Sequence, residues 1–190
     1  MVGQHHAVGK HDTGAQKFIL GNAFSTPIDE GRVRMAASSG NVGEGESVRE
    51  HGIAMHYVFS MIEYGHDVEE AVARACREGV SPCSEEDLLE LVNSRIASVE
   101  EYGWFNPGWK VYNECSILTL DGQERRPDRV LVKGNEAVVI DYKFGAYTEG
   151  STVGMYKKQV SRYKELLTGM GFTNVKGYLW YPAEDIVISV

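Results

Sequence analysis

Cysteine is scarce: the chain of 190 residues has three, Cys76, Cys83 and Cys115. An odd number with no Cys-x-x-Cys pair argues against a disulfide framework and against a four-cysteine metal cluster, and fits reduced thiols. Long apolar runs are missing as well. Nothing approaches the roughly 18 to 20 apolar residues that cross a bilayer, and the amino-terminal region holds no apolar segment of signal type. A cytoplasmic protein with no membrane partner is expected. A Gly-x-x-x-x-Gly-Lys-Ser/Thr phosphate loop is also lacking, because Gly9-Lys10-His11 has neither the earlier glycine spacing nor the hydroxyl residue.

Positive charge is in short supply, with a net charge of −8, which on its face speaks against a phosphate-rich partner. The distribution weakens that objection. Between Glu44 and Glu101 stand 14 acidic and 4 basic side chains, a balance of −10, which leaves the rest of the chain at +2. Residues 153–176 are locally basic, with Lys157, Lys158, Arg162, Lys164 and Lys176 opposed only by Glu165. Apolar content of 43% and charged content of 24% are those of an ordinary globular domain, and the length suits one core rather than two.

Residues 1–16 are rich in Gly and His, include His5, His6 and His11, and lack hydrophobic periodicity. They read as a flexible terminus or linker, with 17–190 forming the domain. Helix-compatible sequence runs from Ser47 to about Tyr64, with Ile53, His56 and Phe59 or Ser60 on one face. A second helix is predicted over 67–78, where Val68, Ala71, Val72, Ala75 and Cys76 repeat at helical spacing before Gly79. A third starts at Ser84, which forms a capping pattern with Asp87 and carries the stripe Leu88, Leu89, Val92, Ile96 and Val99.

After Gly103 the pattern changes to three strand-like runs, Val111–Leu120, Arg125–Val132 and Ala137–Lys143, separated by Asp121-Gly122 and by Lys133-Gly134-Asn135. These predict an antiparallel meander, with the apolar third run in the sheet interior. Val153, Tyr156, Val160, Tyr163 and Leu167 predict a further helix. Strands are predicted over 175–181 and 186–190. The expected architecture is α/β: a mixed sheet flanked by helices on both faces, with an α-β-β-β-α-β core, an amino-terminal helical part, and a crossover helix that sets strand 174–181 parallel to a meander strand.

Chemistry concentrates at Arg126-Pro127-Asp128 on one strand and Ile140-Asp141-Tyr142-Lys143 on the next. If these strands pair through the Gly134 turn, Asp128 and Asp141 share the end far from it, where they can hold one divalent cation. Asp141 and Lys143, two apart, project from one face and Tyr142 from the other. Carboxylates are hard ligands for Mg²⁺, and an adjacent ammonium can orient an attacking water, which suits phosphodiester hydrolysis. A Lys/Asp salt bridge at a solvated strand end explains the same spacing. His56 alone reads more readily as a hydrogen-bonded core histidine than as a ligand, and Tyr163 reads equally as core with Gln159 as its neighbour.

The sequence resembles the PD-(D/E)XK nucleases, and more narrowly the carboxy-terminal nuclease domain of RecB and AddA helicase-nucleases. Four elements carry the resemblance in order: Gly52-Ile53-Ala54-Met55-His56, Arg126-Pro127-Asp128-Arg129-Val130, Val139-Ile140-Asp141-Tyr142-Lys143 and Gln159-Val160-Ser161-Arg162-Tyr163. It covers roughly residues 48–182. It implies a restriction-endonuclease-like fold, metal ligation of Mg²⁺ or Mn²⁺ by His56, Asp128, Asp141 and the Tyr142 backbone carbonyl, and assistance to the nucleophile by Lys143. It also implies places for Gln159 and Tyr163 beside the active site or the DNA backbone.

The implied activity is a DNA exonuclease in recombinational repair, partnered by a helicase motor in the same polypeptide or complex. Glu114 matches a glutamate often found upstream in the family, although a solvated strand-edge carboxylate accounts for it equally. Iron–sulfur relatives need four bracketing cysteines, which three scattered ones cannot supply. Two other functions fit the same residues: a catalytically inactive DNA-binding or scaffold module of a helicase complex, and an interaction domain whose acidic helices dock a basic partner.

Overall fold

A computed structural model describes residues 19–20, 44–119 and 122–190, with side chains from 51 onward. The expected terminus or linker at 1–16 lies outside the described residues. Three helices come first: α1 (Glu44–Met61), α2 (Val68–Arg77) and α3 (Glu85–Ala97). On α1 the buried stripe is Ala54, Met55, Val58 and Phe59, continued by Ile62 just past its end. Ile53 is 48% exposed, so the face predicted through Ile53, His56 and Phe59 is not the core face. The i, i+3, i+4 repeat of Met55, Val58, Phe59 and Ile62 buries more apolar surface, and His56 falls on its flank.

The other two helices follow their sequence signals. Val68, Ala71, Val72 and Ala75 are buried on α2, which ends before Gly79 at φ 69. Ser84 caps α3 by accepting the Asp87 N–H at 3.1 Å, and Leu88 and Val92 are buried. A side chain thus takes up a helix N–H that has no partner within the helix.

The main sheet has five strands in the order β2 (Lys110–Asn113), β5 (Arg129–Lys133), β6 (Glu136–Tyr142), β7 (Asn174–Tyr181) and β8 (Ile186–Ser189). β6 and β7 are parallel and the other neighbours antiparallel. The crossover between them is α4 (Ser151–Gly169). A smaller sheet orders β1 (Ile19–Leu20), β3 (Ile117–Leu118) and β4 (Glu124–Arg125). The mixed α/β architecture expected from the sequence is therefore present, with helices on both faces of the main sheet.

Two of the predicted strands are divided. Val111–Leu120 splits because Glu114 adopts φ 49, a left-handed conformation that breaks the pleat and sends the chain from the large sheet to the small one. Arg125–Val132 splits because Pro127 has no N–H to give a ladder. Asp128, expected on a strand, instead lies in the bend just before β5. The Gly134 turn behaves as read: Lys133 pairs with Glu136 and Gly134 has φ 59, closing a two-residue hairpin.

Alternation along β6 sorts the core. Val138, Ile140 and Tyr142 pack with α1, α2 and α3, while Ala137 and Val139 pack with Val160, Tyr163 and Leu167 of α4. α4 sits very close to β7 at Gly177. A Cβ there would stand 2.6 Å from Lys164 Cδ and 2.7 Å from Val160 Cγ1, so only glycine fits this approach.

One strand side chain ties the layers together. Arg129 is 0% exposed. Its guanidinium donates to the Ile62 carbonyl at 2.7 Å, the Glu63 carbonyl at 2.6 Å, the Trp104 carbonyl at 2.9 Å and Asn113 Oδ1 at 3.0 Å, and lies 4.3 Å from the Phe105 ring centroid. Carbonyls just past the end of α1 are short of intrahelical donors and electronegative, so they suit a buried cation. Among the described residues no helix is long and apolar enough to cross a membrane.

Candidate metal centre

The candidate residues meet at the end of the main sheet where β6 finishes and β5 begins. The β5–β6 ladder stops at the pair Arg129 and Ile140. Beyond it the Asp128 carboxylate takes the place of a backbone acceptor, accepting the Tyr142 N–H at 2.6 Å. This bond fixes Asp128 against β6. Asp141 projects toward α4, two residues past buried Val139, while the Tyr142 ring packs on the other face against Phe59 and Trp180. The opposed directions predicted for Asp141 and Tyr142 are those found.

His56 reaches this end of the sheet from α1, its ring edge-on to Phe144 at a centroid distance of 4.9 Å. His56 Nδ1 stands 3.7 Å from Asp128 Oδ1. Glu114 arrives from the kink after β2, and its N–H donates to the Asp128 carbonyl at 2.9 Å. Ligand atoms of His56, Glu114 and Asp128 all lie within 4.8 Å of one another. Arg126 anchors Glu114 twice, at 3.0 Å to the carboxylate and 2.9 Å to its carbonyl.

Asp141 is 2% exposed and is not one of these three. Its carboxylate contacts the Lys143 ammonium, which also sits 4.3 Å from the Tyr156 ring centroid. The resemblance-based ligand set named His56, Asp128, Asp141 and the Tyr142 carbonyl. In this structure His56 and Asp128 are together, Glu114 completes their triangle, and Asp141 is held next to it by Lys143. Glu114 matched an upstream glutamate of the family in the sequence but was left out of that ligand set, since a solvated strand-edge carboxylate accounted for it equally.

Tyr163 packs in the core with Gln159 beside it, and both lie near the bend that carries Asp128. Tyr163 is buried, accepts from Gln159 Nε2 at 2.9 Å, and donates to the Arg126 carbonyl at 3.4 Å. The pair therefore braces the bend that presents Asp128. A cleft of about 260 Å³ opens beside the group, between α1, α4 and the loop after β6.

The electrostatics suit a cation. Burial, then the neighbouring Asp141 carboxylate, pushes the Asp128 carboxyl up to about 8, and burial raises Glu114 and Asp141 as well. Three carboxylates gathered largely out of water, with Lys143 on Asp141 and Arg126 on Glu114, are one positive charge short, and a divalent ion would supply it. His56 is lowered to about 4 by burial and then by Lys143. It is neutral at physiological pH and free to offer a lone pair. The donor set, two carboxylates and an imidazole, could hold a divalent metal ion and does not by itself select which one.

These shifts predict a pH profile for the metal-free protein. Asp128 has a folded value above its unfolded one, so its folded state holds the extra proton between pH 3.8 and about 8 and stability falls as pH rises through that window. His56 acts oppositely between about 4 and 6.5, where the unfolded chain binds more protons. The two offset each other below pH 6.5. Above it His56 no longer opposes the raised carboxyls, Asp128 foremost with Glu114 and Asp141 acting in the same direction, so melting temperature in EDTA should drop between pH 6.5 and 8.5. Asp128→Asn should flatten that drop in thermal scans; an unchanged slope in the variant would sink this assignment.

Compared with protein-family models and with curated proteins, the sequence gives no match. The functional reading therefore rests on the residues and their geometry.

Proposed function

We propose that this protein is a metal-dependent DNA nuclease that hydrolyses phosphodiester bonds. The observation that carries the reading is the convergence of His56, Glu114 and Asp128 within 4.8 Å, beside the Asp141–Lys143 pair, at the open end of the sheet. The PD-(D/E)XK resemblance supports the same assignment, since Asp128, Asp141 and Lys143 are the residues it names. A divalent cation held by His56, Glu114 and Asp128 would lower the pKa of a water and stabilise charge on a phosphate oxygen.

The remaining roles belong to the chain itself. Asp128 is clamped by the Tyr142 N–H, and Glu114 by Arg126, so both carboxylates are held before any ligand arrives. Lys143 orients the attacking water toward phosphorus. The bond to the leaving oxygen then breaks, and that oxygen departs as a 3′-hydroxyl. Exonuclease action in recombinational repair, alongside a helicase motor in the same polypeptide or complex, is the setting the resemblance suggests.

End-labelled linear DNA incubated with Mg²⁺, Mn²⁺ or EDTA tests the proposal. Cleavage is expected with Mg²⁺ or Mn²⁺ and none in EDTA. No cleavage of single- or double-stranded DNA with either ion would overturn the nuclease and leave a non-catalytic DNA-binding module as the better reading.

A further inference from the structure

The cleft beside the metal group has a composition that metal chemistry does not call for. Its walls are aromatic: Phe144 follows Lys143 and is half-buried, Tyr156 rises from α4, and Tyr181 ends β7. Lys143 lies between the Asp141 carboxylate and the Tyr156 ring, so the cleft and the metal group share one residue. Thr148 and Thr152 bring hydroxyls to its rim. Tyr156 belongs to the helical repeat that points to core, yet it is only half-buried. Two exposed apolar side chains stand one turn from lining residues. They are Ile53, three residues before His56 on α1, and Met155, three after Thr152 on α4, at 48% and 61% exposure. Lys157 and Lys158 are exposed immediately after Tyr156.

We infer that this cleft receives the unpaired nucleobase of the nucleotide whose phosphate sits at the metal group, making the protein selective for single-stranded over duplex DNA. The inference rests on the nuclease reading and names its substrate form. A base offers flat π-faces for Phe144 and Tyr156 and polar edges for the threonine hydroxyls, and its backbone charge suits the neighbouring lysines. A base within a duplex is stacked and paired, and must leave the helix at a cost of a few kcal/mol to enter such a cleft. An unpaired base enters without that cost.

The test is fluorescence anisotropy with a dye-labelled thymidine oligonucleotide, a duplex of equal length, and the same single strand carrying an abasic terminal nucleotide. Ca²⁺ replaces Mg²⁺ to hold cleavage off. The parental protein should bind the intact single strand about tenfold or more tighter than either of the other two. Tyr156→Ala should lose about tenfold on the intact strand and almost nothing on the abasic one, while Tyr156→Phe keeps the preference. Equal binding of all three DNAs by the parental protein would overturn the inference without the need for any variant. So would a preference that survives in folded Tyr156→Ala and Phe144→Ala proteins.

Cleavage assays on the same DNAs separate the two levels. Metal-dependent cutting without strand preference leaves the nuclease standing and removes the base cleft. DNA that is neither bound nor cut removes both.

Discussion

Asp141→Ala is expected to reduce metal-dependent cleavage by about 10²–10³-fold or more while leaving the protein folded. The two halves of this expectation have the same origin. Asp141 is 2% exposed, and burial holds its carboxyl above the usual range, so its ionised form is costly in the folded state. Removing it takes away an electrostatic cost along with a chemical group. Lys143 then keeps its contact with the Tyr156 ring and its 19% access to solvent. Lys143→Ala should lose activity to a similar degree by removing the ammonium that orients water. Rates on end-labelled DNA, read beside circular dichroism of each variant, decide the matter. A folded Asp141→Ala protein that degrades DNA at the parental rate would sink the active-site assignment.

Arg129→Met should have the largest effect on stability. Methionine fills much of the volume but supplies no donor, leaving the Glu63 and Trp104 carbonyls without the bonds they now accept at 2.6 and 2.9 Å. Ile62 keeps one donor, Asn113 Nδ2 at 2.9 Å. Losing four bonds from a buried guanidinium, with the Trp104 carbonyl stranded in the interior, costs about 3 kcal/mol or more, which in a domain of this size lowers the melting temperature by roughly 6 to 12 °C. Arg129→Lys should rescue little, because a single ammonium cannot span four acceptors spread over α1, Asn113 and the Trp104 loop. A thermal scan in which Arg129→Met melts within about 2 °C of the parent would show that the guanidinium is not what holds α1 to the sheet.

Much of the site could be read from the chain because strand geometry is simple. Two-residue periodicity set Asp141 and Lys143 on one face and Tyr142 on the other. The Gly134 turn brought Asp128 to the same end as Asp141. The helices of the amino-terminal half and the crossover helix were legible from their apolar repeats and the Ser84 cap. What stayed hidden depended on backbone or on distant partners. Glu114 enters the metal group only because it turns left-handed and breaks a run that otherwise reads as one strand.

Arg129 stood inside a quoted motif with no role. Its acceptors are main-chain carbonyls, which every residue has and no composition reveals. On α1 the spacing of Ile53, His56 and Phe59 was correct, but periodicity does not say which of two overlapping stripes meets the sheet. Tyr156 shares the apolar repeat of α4. At its position the helix faces the Lys143 loop, and the ring borders the cleft.

The parallel pairing of β6 with β7 through α4 has a kinetic consequence. Both strands lie inside the sheet, yet Tyr142 and Trp180, which pair in register, are 38 positions apart. His56 and Asp128 are 72 apart. Loop-closure entropy must be overcome before such distant contacts yield any stabilisation, so chains of this topology fold slowly. The α2–α3 hairpin and the β5–β6 hairpin can form early from local contacts. His56, Glu114 and Asp128 come together only once α1 has docked on the finished sheet. A partly folded chain therefore has helices and a hairpin but no cation site, and recovery of metal affinity on refolding should lag behind recovery of helical signal.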